Sequence, residues 1–165
     1  MTKSIQKGSD SIQLQLWDTA GAEKFNSVGQ SFYRNSVLCI LVFDITDVES
    51  FKNVETWRKE FLEQLNPPNP NEFPLILIGN KCDMQNEMKV ENEAIQNYCK
   101  EHNDMPFYMC SAKDNINLNE AFNKVVDMSL EKQKNEGDYV PQVPPLRIHP
   151  ELKKKEKMLQ MKIGI

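Results

Sequence analysis

L-Q-L-W-D-T-A-G-A-E-K-F, at residues 14–25, carries the most informative pattern in the sequence. Apolar and polar residues alternate through segment 12–16, which predicts a half-buried β-strand. The strand leads into Asp18 and then into a turn at Gly21. A carboxylate at a strand end can hold Mg²⁺ through water, and a glycine lets a backbone N–H approach a phosphate oxygen closely. Asp18 and Gly21 are therefore candidates for a site that binds a phosphate and its metal ion.

The composition narrows the class of protein. The chain has 165 residues, a formal charge of −4 and a pI near 5.3. The length favours one domain. The negative charge and low pI argue against a nucleic-acid partner, because proteins that bind nucleic acids are usually basic. The longest apolar run, 37–43, is much too short to span a membrane, and no secretory signal opens the sequence. The four cysteines are scattered, which fits a reducing, cytoplasmic location.

Short-period patterns predict the strands of the sheet. Segments 2–7 and 11–18 flank Gly8-Ser9-Asp10 and predict a hairpin. A continuous apolar run at 37–43 predicts a strand buried on both faces, and the runs at 75–78 and 107–110 predict two further core strands.

Apolar stripes at helical spacing predict the helices between these strands. Thr46 and Glu49 predict a capping box for the first of them, and the proline-rich segment 66–70 predicts its end. The alternation of strand and helix predicts an α/β fold with a mostly parallel sheet and flanking helices. The stripes are Phe51, Val54, Trp57, Phe61, Leu62 and Leu65; then Ala94, Ile95, Tyr98, Cys99 and His102; then Leu118, Ala121, Phe122, Val125, Val126 and Ser129.

Polar residues follow two further strands where the ligands of parallel α/β sheets usually bind. Segment 80–83 (N-K-C-D) follows the strand at 75–78, and segment 111–113 (S-A-K) follows the strand at 107–110. The Asp83 carboxylate can accept two hydrogen bonds from N1 and the 2-amino group of guanine, whereas adenine offers no such pair of donors. The stem of Lys81 can lie over the base and Asn80 can brace the loop. The backbone N–H of Ala112 can meet the guanine O6.

Several motifs resemble those of the Ras-like small GTPases, and of the Rab proteins in particular. They are W-D-T-A-G-x-E-x-F at residues 17–25, F-Y-R at 32–34, L-V-F-D-I-T at 41–46, N-K-x-D at 80–83 and S-A-K at 111–113. The segment P-P-N-P-N-E-F-P-L-I-L-I-G-N-K-C-D, at 67–83, is similar to the late-endosomal and lysosomal Rab branch.

The resemblance implies a P-loop-NTPase-like fold that binds GTP or GDP with Mg²⁺ and acts as a switch in vesicle trafficking. It places the guanine on Asn80, Lys81, Asp83, Ser111, Ala112 and Lys113, the γ-phosphate at Gly21 and Mg²⁺ at Asp18 through water. It also implies Rab effectors and regulators as partners. These would read the apolar face from Phe25 to Tyr33, which otherwise predicts a short amphipathic helix. The location implied is the cytoplasm, with peripheral association on endosomal membranes.

The sequence departs from the family pattern in three ways. No G-x-x-x-x-G-K-[ST] loop occurs, and the first strand, first helix and first switch of the family have no counterpart. Ala22 stands where the family usually has the glutamine that orients the attacking water. No cysteine follows Cys110, so no prenylation site is expected. We therefore expect weak nucleotide and Mg²⁺ binding and slow hydrolysis.

Two further expectations concern the fold. Loss of the family's first strand predicts either a gap between the strands at 12–18 and 37–43 or their direct pairing. Residues 1–134 predict a partial GTPase domain, and residues 135–165 predict a flexible tail, because prolines and lysines dominate there. Three functions remain open: a Rab-type GTPase switch, an interaction module that works without nucleotide, and a truncated product with no independent function.

Overall fold

One mixed sheet organises the part of the chain that the computed structural model describes, namely residues 2–7, 10–18, 33, 36–136 and 157–164. Its strands lie in the order β1-β2-β6-β3-β4-β5. The strands are β1 (Thr2–Lys7), β2 (Asp10–Asp18), β3 (Leu38–Asp44), β4 (Leu75–Asn80), β5 (Phe107–Met109) and β6 (Lys157–Gly164). The helices are α1 (Val48–Leu65), α2 (Asn92–Glu101) and α3 (Leu118–Glu136).

The hairpin is confirmed. β1 and β2 pair antiparallel, in a register that sets Thr2 opposite Gln15 and Lys7 opposite Asp10. Alternate residues of β2, namely Ile12, Leu14 and Leu16, are buried, as the alternating pattern predicts.

The three parallel strands are confirmed as well, although the residues of β5 are only partly buried. β3 pairs parallel with β4, and β4 pairs parallel with β5. β3 is buried on both faces, because Leu38 and Ile40 belong to one core cluster while Leu41 and Phe43 belong to the other. The cluster with Leu41 and Phe43 includes residues of α1 and α2, and the cluster with Leu38 and Ile40 includes residues of α3. The sheet is therefore covered by helices on both faces.

Helix α1 begins one residue later than predicted. Its N-cap is Asp47, whose side chain accepts from the backbone N–H of Glu49, so the capping box from Thr46 is wrong. The hydroxyl of Thr46 instead donates to Asp44, 2.7 Å away. The helix ends at Asn66, which adopts a left-handed conformation and donates its N–H to Leu62. The predicted apolar stripe of α1 faces the core.

β6 lies where neither predicted arrangement placed a strand. It pairs parallel with β2 on one side and with β3 on the other. Both the predicted gap and the predicted direct pairing are therefore wrong, because a strand from another part of the chain satisfies both edges. Residues Lys157–Gly164 of the predicted tail form β6, and the flexibility of the tail and the domain boundary near residue 134 stay predictions.

Candidate functional site

The candidate site lies at the carboxyl edge of the parallel strands. β3 ends at Asp44 and β4 ends at Asn80, and these two residues are paired in the register. Segment 111–113 follows β5, the next strand of the sheet. The topology thus brings the predicted base-binding segments to one end of the sheet, as expected for this class of fold.

The loop after β4 turns sharply at Lys81. This residue has φ 67° and ψ 35°, a left-handed conformation that most side chains avoid. The next backbone N–H, of Cys82, donates to the carbonyl of Cys110 at 2.9 Å, which ties this loop to the end of β5. A 3₁₀ turn over Cys82–Glu87 then begins, with Asp83 in its first turn. The strained Lys81 therefore aims the chain so that Asp83 faces the neighbouring loop.

The loop after β5 closes on itself. Ser111 and Ile116 exchange two backbone hydrogen bonds, of 3.2 and 3.1 Å. Asn117 adopts a left-handed conformation, which asparagine tolerates well, and its side-chain amide donates to the carbonyl of Met109 at 2.7 Å. The backbone N–H of Asp114 donates to the Ser111 hydroxyl at 3.0 Å. These bonds hold segment 111–113 in a fixed position beside β4.

Direct hydrogen bonds join the two loops. The Ser111 hydroxyl donates to Asp83 Oδ1 at 2.6 Å, and the backbone N–H of Ala112 donates to Asn80 Oδ1 at 3.1 Å. Lys113 Nζ lies 3.8 Å from Asp83 Oδ2. The structure thus brings together five of the six residues predicted to hold a guanine.

The Asp83 carboxylate is kept ionised by its surroundings. The hydrogen bond from Ser111 lowers the pKa of Asp83 below its usual range, burial opposes that shift, and Lys113 and Lys81 add smaller lowering contributions. A carboxylate offers about four acceptor positions. After the bond from Ser111, Asp83 keeps the capacity to accept from the two adjacent N–H donors of guanine, so the donor set fits that base.

Asp44 is a site residue that the sequence reasoning missed. Its Oδ2 lies 2.6 Å from Nζ of Lys81, which is the remaining residue predicted to hold the guanine. Its Oδ1 accepts hydrogen bonds from the backbone N–H and the hydroxyl of Thr46. Burial acts to raise the pKa of Asp44, but the hydrogen bonds from Lys81 and Thr46 outweigh it and lower the pKa. Asp44 in turn raises the pKa of Lys81. The sequence feature that could have identified Asp44 is its position as a carboxylate at the end of a predicted buried strand.

The phosphate side of the predicted site falls largely outside the described residues. Gly21, Ala22 and Phe25 lie outside them, and Asp18 is described only as the backbone residue that ends β2. Of the predicted partner face, Tyr33 alone is described, and its ring packs against Phe61 with 5.8 Å between centroids. Within the described ranges, no group of three or more acidic, histidine or cysteine side chains is arranged to hold a metal ion. No helix in those ranges is long and apolar enough to cross a bilayer.

Comparison with known proteins gives a consistent result. Residues 1–131 match the model of the Ras family. The chain is 40% identical over 141 residues to Ras-related protein Rab-7a of Paramecium octaurelia, covering 86% of this chain and 68% of that protein. It is 42% identical over 130 residues to Ras-related protein Rab7 of Drosophila melanogaster, covering 79% of this chain and 62% of that protein. It is 41% identical over 132 residues to the Ypt/Rab-type GTPase ypt7 of Schizosaccharomyces pombe, covering 79% of this chain and 64% of that protein.

The fold, the two joined loops and these matches define the class: the chain belongs to the Ras family. Within that family it is a Rab-type small GTPase of the Rab7 branch, a group of GTP-binding proteins of endosomal vesicle trafficking. The predicted family, branch and fold class are confirmed. Members of the family bind GTP or GDP with Mg²⁺ and work through effectors and regulators.

Proposed function

We propose that these 165 residues recognise guanine through Asp83 and, by themselves, bind GTP and GDP weakly. The observation that carries the proposal is the pair of cross-loop hydrogen bonds, from Ser111 to Asp83 and from Ala112 to Asn80. They hold the two loops together through hydrogen bonds within the chain itself. The guanine side is therefore preorganised, which reduces the cost of ordering it when a base binds.

Base selectivity follows from the charge of Asp83. An ionised carboxylate accepts hydrogen bonds and donates none. Guanine presents N1–H and a 2-amino group side by side, so both donors can be satisfied by one carboxylate. Adenine presents an acceptor at N1, which would face the carboxylate oxygens and donate no hydrogen bond to them. Because adenine would forgo both of the hydrogen bonds that guanine makes with this carboxylate, adenine should be disfavoured by about tenfold or more.

The weak nucleotide binding follows from how few phosphate-binding groups these 165 residues carry. They carry no G-x-x-x-x-G-K-[ST] motif, whose backbone N–H groups and lysine grip phosphates. Each contact worth about 1.4 kcal/mol changes the affinity tenfold, so several missing charge-assisted contacts remove many decades. Gly21 and Asp18 remain as proposed contacts to the γ-phosphate and, through water, to Mg²⁺. Ala22 offers no amide to orient water, so we propose that intrinsic hydrolysis is slow.

The test is a change of base preference. In Asp83→Asn, the amide can donate to the 2-carbonyl of xanthine, and it loses one acceptor for guanine. We expect GDP binding to weaken by at least about tenfold and binding of xanthosine diphosphate to strengthen by a similar factor. Titrations at millimolar ligand, followed by chemical-shift changes of the 80–83 and 111–113 amides, would measure both.

Asp114→Asn is the matched control, because Asp114 lies in the same loop and is exposed, with its backbone N–H bonded to Ser111. It should leave both affinities unchanged. Equal effects of the two substitutions, or an unchanged GDP preference in Asp83→Asn, would overturn the assignment of Asp83.

We also propose that Rab effectors and regulators bind the face from Phe25 to Tyr33, and that the protein works in the cytoplasm and at the surface of endosomal membranes. Three apolar side chains at roughly helical spacing support this face, namely Phe25, Val28 and Phe32. Phe25→Ala should reduce capture by a purified Rab7 effector domain at least about tenfold. Ile116→Ala, which removes an exposed apolar side chain elsewhere, is the control and should leave capture unchanged.

A further inference from the structure

Lys81 is held by an ion pair although it lies at the surface of the candidate site. Its side chain is 50% exposed, yet its Nζ lies 2.6 Å from Oδ2 of Asp44, the last residue of β3. Restricting an exposed lysine to one conformation costs conformational entropy, because its long side chain has many accessible rotamers. The contact with Asp44 therefore fixes, within the chain itself, the stem that is proposed to lie over the base.

Asp44 is in turn held in place by its own loop. Its Oδ1 accepts hydrogen bonds from the backbone N–H and the hydroxyl of Thr46, at 2.8 and 2.7 Å. Its backbone N–H donates to the hydroxyl oxygen of Ser50, in the first turn of α1, at 3.0 Å. Because Oδ1 is occupied and the backbone is tied to α1, Oδ2 offers the ammonium of Lys81 one defined point of attachment.

A second carboxylate competes for the same ammonium. Asp83 follows Lys81 by two residues and attracts it through charge, but the hydrogen bond of Lys81 goes to Asp44, which chiefly raises the pKa of that lysine. The ammonium of Lys113 stays 3.8 Å from Oδ2 of Asp83, beyond hydrogen-bonding distance. A lysine bound to Asp83 would occupy the oxygens that the two donors of guanine need. Without Asp44, the flexible side chain of Lys81 would be free to make that contact.

We propose that Asp44 is a positioning residue of the guanine site, which holds the Lys81 ammonium away from Asp83. The inference rests on the proposed function, because it takes Asp83 as the carboxylate that recognises the base. Asp44 acts through Lys81, whose stem it orients and whose charge it keeps from that carboxylate. Asp83 then determines which base binds, and Asp44 determines how tightly that base binds.

The titration of Asp83 tests this restraint without any nucleotide. In Asp44→Asn the side chain keeps an oxygen for Thr46 but loses the charge that binds Lys81. The released ammonium should approach Asp83 and lower its pKa, so that the carboxyl carbon of Asp83, followed by NMR across pH, titrates about one pH unit lower. In a Lys81→Met background, which keeps an unbranched side chain without the charge, the same substitution should lower it far less. Equal changes in the two backgrounds, or no change in either, would overturn the proposal.

Guanosine titrations of the same four proteins test the consequence for binding. We expect Asp44→Asn to weaken guanosine binding about tenfold when Lys81 is present, and by less than about twofold in the Lys81→Met background, because the two side chains act as one unit. If Asp44 served only to shape its own loop, the loss would be the same in both backgrounds, and that result would overturn the proposal. If guanosine binding is too weak to measure, the titration of Asp83 decides.

Asp47→Asn is the matched control, because Asp47 carries another negative charge in the same loop and asparagine caps a helix as well as aspartate does. It should change guanosine affinity by less than about twofold. A loss as large as that in Asp44→Asn would assign the effect to the charge of the loop and overturn the role of the ion pair.

The outcomes also separate this inference from the proposed function. If Asp83→Asn leaves the GDP preference unchanged, the proposed function fails whatever Asp44 does. If Asp83→Asn changes that preference while Asp44→Asn has the same effect with and without Lys81, the inference alone fails.

Discussion

The two sides of the sheet are assembled differently. β3, β4 and β5 are connected in sequence through α1 and α2, so each parallel pair forms between segments that are close along the chain. β2 and β6 are also neighbours in the sheet, but they come from opposite ends of the described chain. Closing a longer loop costs more conformational entropy, although the cost rises slowly with length. The β3–β4–β5 side can therefore form from local connections, whereas the hairpin side depends on β6.

The largest expected effect comes from truncating one leucine on each side of the sheet. Leu77 of β4 and Leu14 of β2 are both 0% exposed. Leu77→Ala should lower the free energy of unfolding by about 2–5 kcal/mol, because it leaves a cavity in the central core. Leu14→Ala removes the same atoms, yet we expect its effect to appear chiefly as faster hydrogen exchange of the backbone amides of β1 and β2.

Chemical denaturation together with hydrogen exchange would separate the two leucine variants. If both variants reduced the protection of β4 amides equally, the two sides would unfold as one unit and the comparison would fail.

A second prediction concerns a polar cluster that joins the helices of the β3–β4–β5 side. Arg58 donates to Glu55 through Nε at 2.8 Å and Nη2 at 2.9 Å, and the Tyr98 hydroxyl donates to Glu55 at 3.0 Å. The bonds from Arg58 lower the pKa of Glu55 to about 2, against an opposing contribution from burial. Glu55→Gln should therefore cost about 1–2 kcal/mol near neutral pH.

The pH dependence of that cost has a definite sign. Because the pKa of Glu55 is lowered on folding, its contribution is fully present above its ordinary pKa of 4.5 and is lost as the pH falls towards about 2. The difference in unfolding free energy between the wild type and Glu55→Gln should shrink over that interval. A difference that stays constant with pH would contradict the assignment.

The third prediction tests the start of α1. Asp47→Ala should lower the free energy of unfolding by about 1 kcal/mol, because it removes the acceptor for the Glu49 N–H, whereas Asp47→Ser should retain most of it. Thermal unfolding followed by circular dichroism would measure both. Equal losses in the two variants would argue against capping by this side chain.

The smallest expected effect concerns the contact between the hairpin and α3. Lys7 of β1 forms an ion pair with Asp127 of α3, and both side chains are about half exposed. Lys7→Ala should cost no more than about 1 kcal/mol, and less at high salt, because exposed pairs are screened. Denaturation at low and high salt would test this. A large, salt-independent loss would mean that the hairpin is held by this pair and not by β6.

The sequence predicts well those features that depend on local periodicity. The stripe of α1 is visible because one face of a long helix is apolar, and the strand-end loops follow because parallel strands end at one edge. The N-cap is predicted at Thr46 and is Asp47 instead, because both residue types are good caps and the two are adjacent in the sequence. The ion pair between Asp44 and Lys81 could not be predicted, because the two residues lie at the ends of different strands and no regular spacing in the sequence links them. β6 was missed because the surrounding prolines and lysines mask its four apolar residues.

The most direct test of the central claim compares the affinities of the chain for guanosine and for GDP by titration under the same conditions. If the guanine side is preorganised and the phosphate side contributes little, the two dissociation constants should agree within about tenfold, and both should be weaker than micromolar. A sub-micromolar dissociation constant for GDP, with guanosine weaker by a thousandfold or more, would contradict the account.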